Sequence, residues 1–266
     1  MKATIAVAQM DSTGNRSENL RKMEDMTKRA AAEGADLILF PEHADFLGKP
    51  IGLHAEADHG KLAQALGRMA AENRIWLHSG SIPEMNPEGK PYNTSLFFDR
   101  DGNLAAKYRK IHLFEVDISN GPRVNESDVI EAGDKAVVVD TEFGRVGFAI
   151  CYDLRFPELF HKLADQGAEL IFLPANFTAL TGAAHWEVLV RARAIENTCY
   201  IAAAGQVGRK PDFESYGHSM IIDPWGRILS EKEDGEGLIY ADFDTGVLEQ
   251  VRRQMPSLNN ARKDLW

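Results

Sequence analysis

Three segments of the chain occur twice, in the same order and at matching spacing, and this echo restricts the fold more than any other feature. Gly34-Ala-Asp-Leu-Ile-Leu-Phe-Pro41 returns as Gly167-Ala-Glu-Leu-Ile-Phe-Leu-Pro174. Tyr92-Asn-Thr-Ser-Leu-Phe-Phe-Asp99, followed by a turn at Asp101-Gly102, returns as Tyr216-Gly-His-Ser-Met-Ile-Ile-Asp223 with a turn at Pro224-Trp225-Gly226. Upstream, Ile5-Ala-Val-Ala-Gln-Met-Asp11 parallels Gly147-Phe-Ala-Ile-Cys-Tyr-Asp153. The 266 residues therefore read as one domain, 1–266, built from halves at about 1–135 and 136–245, with a C-terminal tail at 246–266.

Each half reads as strand, helix, strand, helix and further strands. Leu20, Met23, Met26 and Ala30 form one stripe of a helix from about Ser17 to Glu33, which Gly34 stops. Leu62, Ala65, Leu66, Met69 and Ala70 mark a second helix lying on a sheet. In the second half Pro157 opens a helix that buries Phe160, Leu163 and Ala164 and ends at Gly167; Ala184 to Asn197 makes another. Two mixed sheets, each with helices on one face, bury their bare faces by packing together. The expected fold class is α/β, a four-layer α-β-β-α sandwich with a pseudo-twofold repeat, its equivalent strand ends meeting at a central cleft.

At those ends stand Glu42, after the strand Leu37 to Phe40; Lys110, after the strand Leu104 to Arg109; and Cys151, after the strand Arg145 to Ile150. A carboxylate beside a thiol can take its proton, and an ammonium can stabilise the resulting charge. Gly147 and the abrupt change after Cys151 suit a thiol exposed on a strand-to-helix turn. Taken singly, each residue has a plainer reading: a core cysteine, a capping or solvated glutamate, a lysine on a basic face. The repeat discriminates. Ala175 stands where Glu42 would recur, and Met10 or a neighbour where Cys151 would, so the fold does not require these side chains.

Phe40-Pro-Glu42, Tyr108-Arg-Lys-Ile-His-Leu-Phe114 and Ala149-Ile-Cys-Tyr-Asp-Leu-Arg-Phe-Pro-Glu158 resemble the signature blocks of the nitrilase superfamily of carbon-nitrogen hydrolases. Thr181-Gly-Ala-Ala-His-Trp-Glu187, Arg191-Ala-Arg-Ala-Ile-Glu196, Tyr216-Gly-His-Ser219 and Asp223-Pro-Trp-Gly226 are similar to its Nit branch of amidases, which includes deaminated glutathione amidase and omega-amidase. The resemblance runs almost end to end. It implies the same sandwich, a catalytic Glu42, Lys110 and Cys151, a second glutamate at Glu126 that holds Lys110 and substrate, and a Tyr152 backbone N–H for the oxyanion. Arg155, Asn176 and Phe177 are the expected substrate-binding residues. The implied reaction is hydrolysis of a small amide to an acid and ammonia through a Cys151 thioester, with no metal or organic cofactor. Nitrile and N-carbamoyl hydrolysis are the alternatives for the same residues. Tyr152-Asp153 replaces the Trp-Glu of true nitrilases, which favours the amide. The loop His43 to Gly52 departs from the pattern and leaves the particular substrate open.

Arg155 can grip a substrate carboxylate through two parallel hydrogen bonds, or can pair with Asp153 or Glu158. Rival readings are a Cys-His hydrolase using His112, His185 or His218, and a non-enzymatic interaction protein on this fold. The formal net charge of −10 disfavours nucleic acid and anionic membranes as partners. No apolar run is long enough to cross a bilayer, no secretory signal opens the chain, and Cys151 and Cys199 read as free thiols, so a cytoplasmic location is expected. The resemblance also implies a homodimer or higher homo-oligomer, paired through the helix bearing Trp186, Leu189, Val190 and Ile195 and through the tail Pro256 to Trp266.

Overall fold

The structure, a computed structural model, describes residues 1–117, 123–210, 212–262 and 264. Trp266, to which the tail expectation points, lies outside the described residues. Among them no helix is long and apolar enough to cross a membrane.

A seven-stranded sheet runs in the order 237–244, 2–9, 37–39, 76–78 and 92–98, with 82–84 and 104–109 both paired to the last of these. A six-stranded sheet runs 228–232, 219–222, 200–205, 170–175, 144–148 and 138–141. In both, the three strands that alternate with helices are parallel and the flanking strands antiparallel. The strand Gly237–Asp244, from the second part of the chain, crosses over to pair along the whole of Lys2–Gln9 in the first sheet.

Helices α1 (Arg16–Ala32) and α2 (Lys61–Asn73) cover the first sheet, and α3 (Pro157–Asp165) and α4 (Ala179–Asn197) cover the second. The period-two rule sorts the strands' side chains. Ala6, Ala8, Ile38 and Phe98 pack on Met23, Met26, Leu66 and Met69 of the helices. Ile5, Val7, Leu37, Leu39 and Phe97 face the second sheet. Phe97 lies 5.6 Å from Phe148 and 5.5 Å from Phe172 across that seam, and His78 lies 5.5 and 5.1 Å from the same two rings. The α-β-β-α layering is thus met.

Several element ends shift by a residue or two, and two larger differences stand out. α4 starts at Ala179 rather than Ala184, because the Thr178 side chain caps it by accepting from the Thr181 N–H. The echo between Ile5–Asp11 and Gly147–Asp153 is one residue out of register. Ile5 pairs with Leu37 as Val146 pairs with Leu170, so Met10, not Gln9, is the counterpart of Cys151.

Candidate active site

Glu42 follows the end of Leu37–Leu39, where the Phe40 N–H still donates to the His78 carbonyl at 3.2 Å. Gly80 lies so close to this turn that a Cβ there would overlap the Pro41 carbonyl, which explains why that position carries no side chain. His43 then takes a left-handed φ of 58° and donates its N–H to Ser81 Oγ at 3.1 Å. Gln206 Nε2 donates to the Glu42 carbonyl at 2.9 Å and to Ser12 Oγ at 2.7 Å. The backbone carrying Glu42 is therefore fixed from both sheets.

Lys110 follows Leu104–Arg109, its N–H donating to the Asn93 carbonyl at 2.8 Å. Its ammonium donates to Glu42 Oε1 at 2.9 Å and to Glu126 Oε2 at 2.8 Å. Glu126 opens a short 3₁₀ turn, and its Oε2 also accepts from the Phe114 N–H at 2.7 Å. Asn93 Nδ2 donates to Glu42 Oε1 at 2.9 Å. Both of these donors use the same Glu42 oxygen, which leaves Oε2 for other work. Ammonium carries three donors, so Lys110 keeps one beyond its two carboxylates.

Cys151 opens a 3₁₀ turn, Cys151–Arg155, three residues past the end of the strand Gly144–Phe148. Its φ is 49°, a left-handed conformation that costs a non-glycine residue about 1–3 kcal/mol. The thiol is not exposed as the turn geometry implied. Cys151 is only 7% accessible, with Glu42 at 3% and Lys110 at 2%.

Burial alone would raise the Glu42 pKa, but Lys110, His43 and hydrogen bonding outweigh it and hold the carboxyl below the usual glutamate range. Burial likewise opposes the charge on Lys110, yet Glu126 and Glu42 push its pKa well above the ordinary lysine value. Burial and the facing Glu42 carboxylate push the Cys151 thiol well above its ordinary value; Lys110 and the Asn176 backbone N–H act in the opposite sense. Both directions favour a resting thiol and carboxylate over a thiolate and a carboxylic acid. Glu42, His43 and Glu126 also offer ligand atoms within 4.8 Å of one another, a grouping hidden by their distance in sequence. The Lys110 ammonium bonded to both glutamates already supplies the positive charge there.

Arg155 makes no ion pair with Asp153 or Glu158 among the described residues. Asp153 is taken up by Tyr108, His112 and the Ile150 N–H. The Arg155 guanidinium instead lies 5.3 Å from the Phe177 ring and 5.8 Å from the Tyr152 ring, with Nη1 3.3 Å from His185 Nδ1. Since guanidinium only donates, that histidine nitrogen accepts. Asn176 enters the site through its backbone; its side-chain Oδ1 accepts from Ser215 Oγ at 2.7 Å. Of the histidines considered as bases, His112 bonds Asp153, His185 meets Arg155 and His218 Nδ1 lies 2.9 Å from Glu231. The thiol's neighbour is Glu42. Asn93 escaped the sequence reading, although its counterpart in the echo is Gly217, the same kind of mismatch that singled out Glu42.

The carbon-nitrogen hydrolase family matches residues 4–253. Deaminated glutathione amidase of Yersinia enterocolitica is 42% identical, over 98% of this chain and 93% of that protein. Omega-amidase NIT2 of Mus musculus is 38% identical, over 98% of this chain and 96% of that protein. The crystal structure of Saccharomyces cerevisiae Nit3, described as a member of branch 10 of the nitrilase superfamily, superimposes with a TM-score of 0.87 at 33% identity, over 96% of this chain and 94% of that one. With the fold and these matches in agreement, the chain belongs to the carbon-nitrogen hydrolase family and is an enzyme of the nitrilase superfamily's Nit-type amidase branch.

Proposed function

We propose that the protein hydrolyses a small, carboxylate-bearing primary amide through a thioester on Cys151. The observation that carries this reading is the buried Cys151 thiol facing the Glu42 carboxyl, whose Oε1 is held by Lys110 and Asn93. Glu42 takes the thiol proton as sulfur bonds to the amide carbon. The oxygen gains the charge and is met by the free Lys110 donor and the Tyr152 N–H. Collapse breaks the carbon–nitrogen bond, the proton on Glu42 passes to nitrogen, and ammonia leaves. Water then attacks the thioester, gives its proton to Glu42, and displaces the sulfur, which takes that proton back. Glu126 keeps Lys110 in place throughout. The residues would also serve a nitrile or an N-carbamoyl group; the names of the relatives favour an amide.

Arg155, released from acidic partners and flanked by Phe177 and Tyr152, fits a substrate carboxylate with an apolar tail between. Truncating one partner of a bidentate guanidinium–carboxylate pair costs roughly 2–5 kcal/mol, against about 1–3 kcal/mol for one methylene in an apolar pocket. Charge should therefore outweigh tail length in selecting the substrate. The test is the ratio of kcat/KM for an acidic amide and its neutral isostere, in wild type and Arg155→Ala. Arg155→Ala should nearly erase the preference while keeping the neutral reaction; an unchanged ratio removes Arg155 from recognition.

A homodimer accompanies this reading, with a correction to its surface. Trp186 and Val190 point into the core, whereas Leu180, Val188 and Ile195 of α4 are exposed, as is Trp225 in the turn next to Ile195. Large apolar side chains left exposed on one helix are candidates for burial at an interface. Sedimentation at micromolar concentration should give a dimer, and a monomer there removes the proposal. Two free cysteines and the acidic charge support a cytoplasmic enzyme acting on a small molecule rather than on nucleic acid.

A further inference from the structure

The Cys151 turn and the Lys110 segment come from different sheets, yet one carboxylate holds both. Asp153 is completely buried. Its Oδ2 accepts from the Ile150 N–H at 2.8 Å, immediately before Cys151, and from the Tyr108 hydroxyl at 2.7 Å, two residues before Lys110. Its Oδ1 accepts from the His112 backbone N–H at 3.0 Å and lies 2.7 Å from His112 Nδ1, two residues after Lys110. Burial and the Asp153 charge push the Tyr108 phenol well above its ordinary pKa, so it stays a donor. The His112 ring is stacked on Phe156 at 3.7 Å, which fixes its plane. A carboxyl group's two oxygens offer about four lone-pair sites, matching these four contacts.

The left-handed backbone at Cys151 is unfavourable for any residue but glycine, so neighbouring bonds must hold it. We propose that Asp153 is a positioning residue for the hydrolysis, clamping the Cys151 turn to the Lys110 segment so that sulfur and ammonium keep one mutual offset. The inference rests on the reading of Cys151 as nucleophile. Because Asp153 meets neither substrate nor reacting atoms, its effect falls on alignment in the transition state and not on substrate affinity. Asparagine has nearly the same shape but one acceptor oxygen. Whichever way its amide turns, its NH₂ faces a backbone donor, Ile150 on one side or His112 on the other, and one arm of the clamp opens.

The test compares kcat and KM for wild type, Asp153→Asn, Tyr108→Phe, His112→Phe and Cys151→Ala on one amide, with thermal melts alongside. Misplacement on the scale of 1 Å costs on the order of 100-fold, so Asp153→Asn should lower kcat by about 10- to 100-fold with KM changed less than about threefold. Tyr108→Phe and His112→Phe each open one contact and should lower kcat by about two- to tenfold in the same pattern. Rates within about twofold of wild type in all three, or losses that follow KM and melting temperature, overturn the clamp. If Asp153→Asn does not fold, Tyr108→Phe and His112→Phe decide. Turnover that survives Cys151→Ala overturns the nucleophile and the clamp with it. Turnover lost there but intact in the three clamp variants overturns the clamp alone.

Discussion

The site and its counterpart in the other half occupy equivalent backbone positions with different side chains. The strand registers place Glu42 opposite Ala175, Asn93 opposite Gly217, and Cys151 opposite Met10. Counting from the pairs Ser95–Tyr108 and Ser219–Lys232, Lys110 falls opposite Asp234, a reversal of charge. The backbones differ as well. Met10 continues its strand into a bridge with Gln206, whereas Cys151 leaves its strand with φ at 49°. A duplicated scaffold thus supplies two sets of strand ends, and only one set bears the buried charges and the bent backbone. Those charges are costly to bury without partners, so their confinement to one set marks them as kept for something other than folding.

The comparison predicts its largest loss at sulfur. Cys151→Ala should lower turnover by about 10⁴- to 10⁶-fold, as removal of a nucleophile does in other hydrolases, with the circular dichroism spectrum unchanged. Adding Met10→Cys to that variant should restore nothing, because the counterpart lacks the glutamate, the lysine and the bend. Ammonia release from the double variant near the wild-type rate would break the comparison.

Glu42→Gln should cost about 10²- to 10⁴-fold in kcat through loss of the base. It also changes stability with pH. Because the folded pKa of Glu42 is lowered, its contribution is present above the unfolded value and is lost as pH falls through the folded one. Urea unfolding followed from pH 7 down to acid should show a shallower decline in Glu42→Gln than in wild type. An identical decline would mean that Glu42 is not the depressed carboxylate.

Asn93→Ala removes one buried hydrogen bond to a charged acceptor, worth about 1.5–3 kcal/mol. The expected effect is roughly a tenfold loss in kcat, with the acid limb of the rate profile moving to higher pH as Glu42 loses a donor. The smallest effect belongs to Cys199, which is buried in the core and whose thiol burial pushes up to about 12. Cys199→Ala should leave kcat within about twofold and cost on the order of 1 kcal/mol in a melting experiment. Lost activity there would reassign the reactive thiol.

Periodicity carried the layer order, since Met23, Met26, Leu66 and Phe160 face where their spacing places them. Glu42, Lys110 and Cys151 were legible from strand ends, from the echo and from family resemblance. Asn93 was not, because its side chain acts across a sheet on a residue 51 positions away. Asp153 read as one end of a local ion pair, whereas its side-chain partners, Tyr108 and His112, lie more than 40 residues upstream. Long-range pairing also hid the crossing of Gly237–Asp244 into the first sheet: a strand's own pattern names its faces and not its neighbour.

That crossing has a consequence for biosynthesis. Lys2–Gln9 is synthesised more than 200 residues ahead of its antiparallel partner, Gly237–Asp244. Until residues 237–244 emerge, one edge of the first sheet stands open, with unpaired N–H and C=O groups available to any passing strand. The nascent chain must keep that edge unoccupied while the intervening residues are made, and a ribosome that stalls before residue 237 releases a chain whose first sheet is open to association.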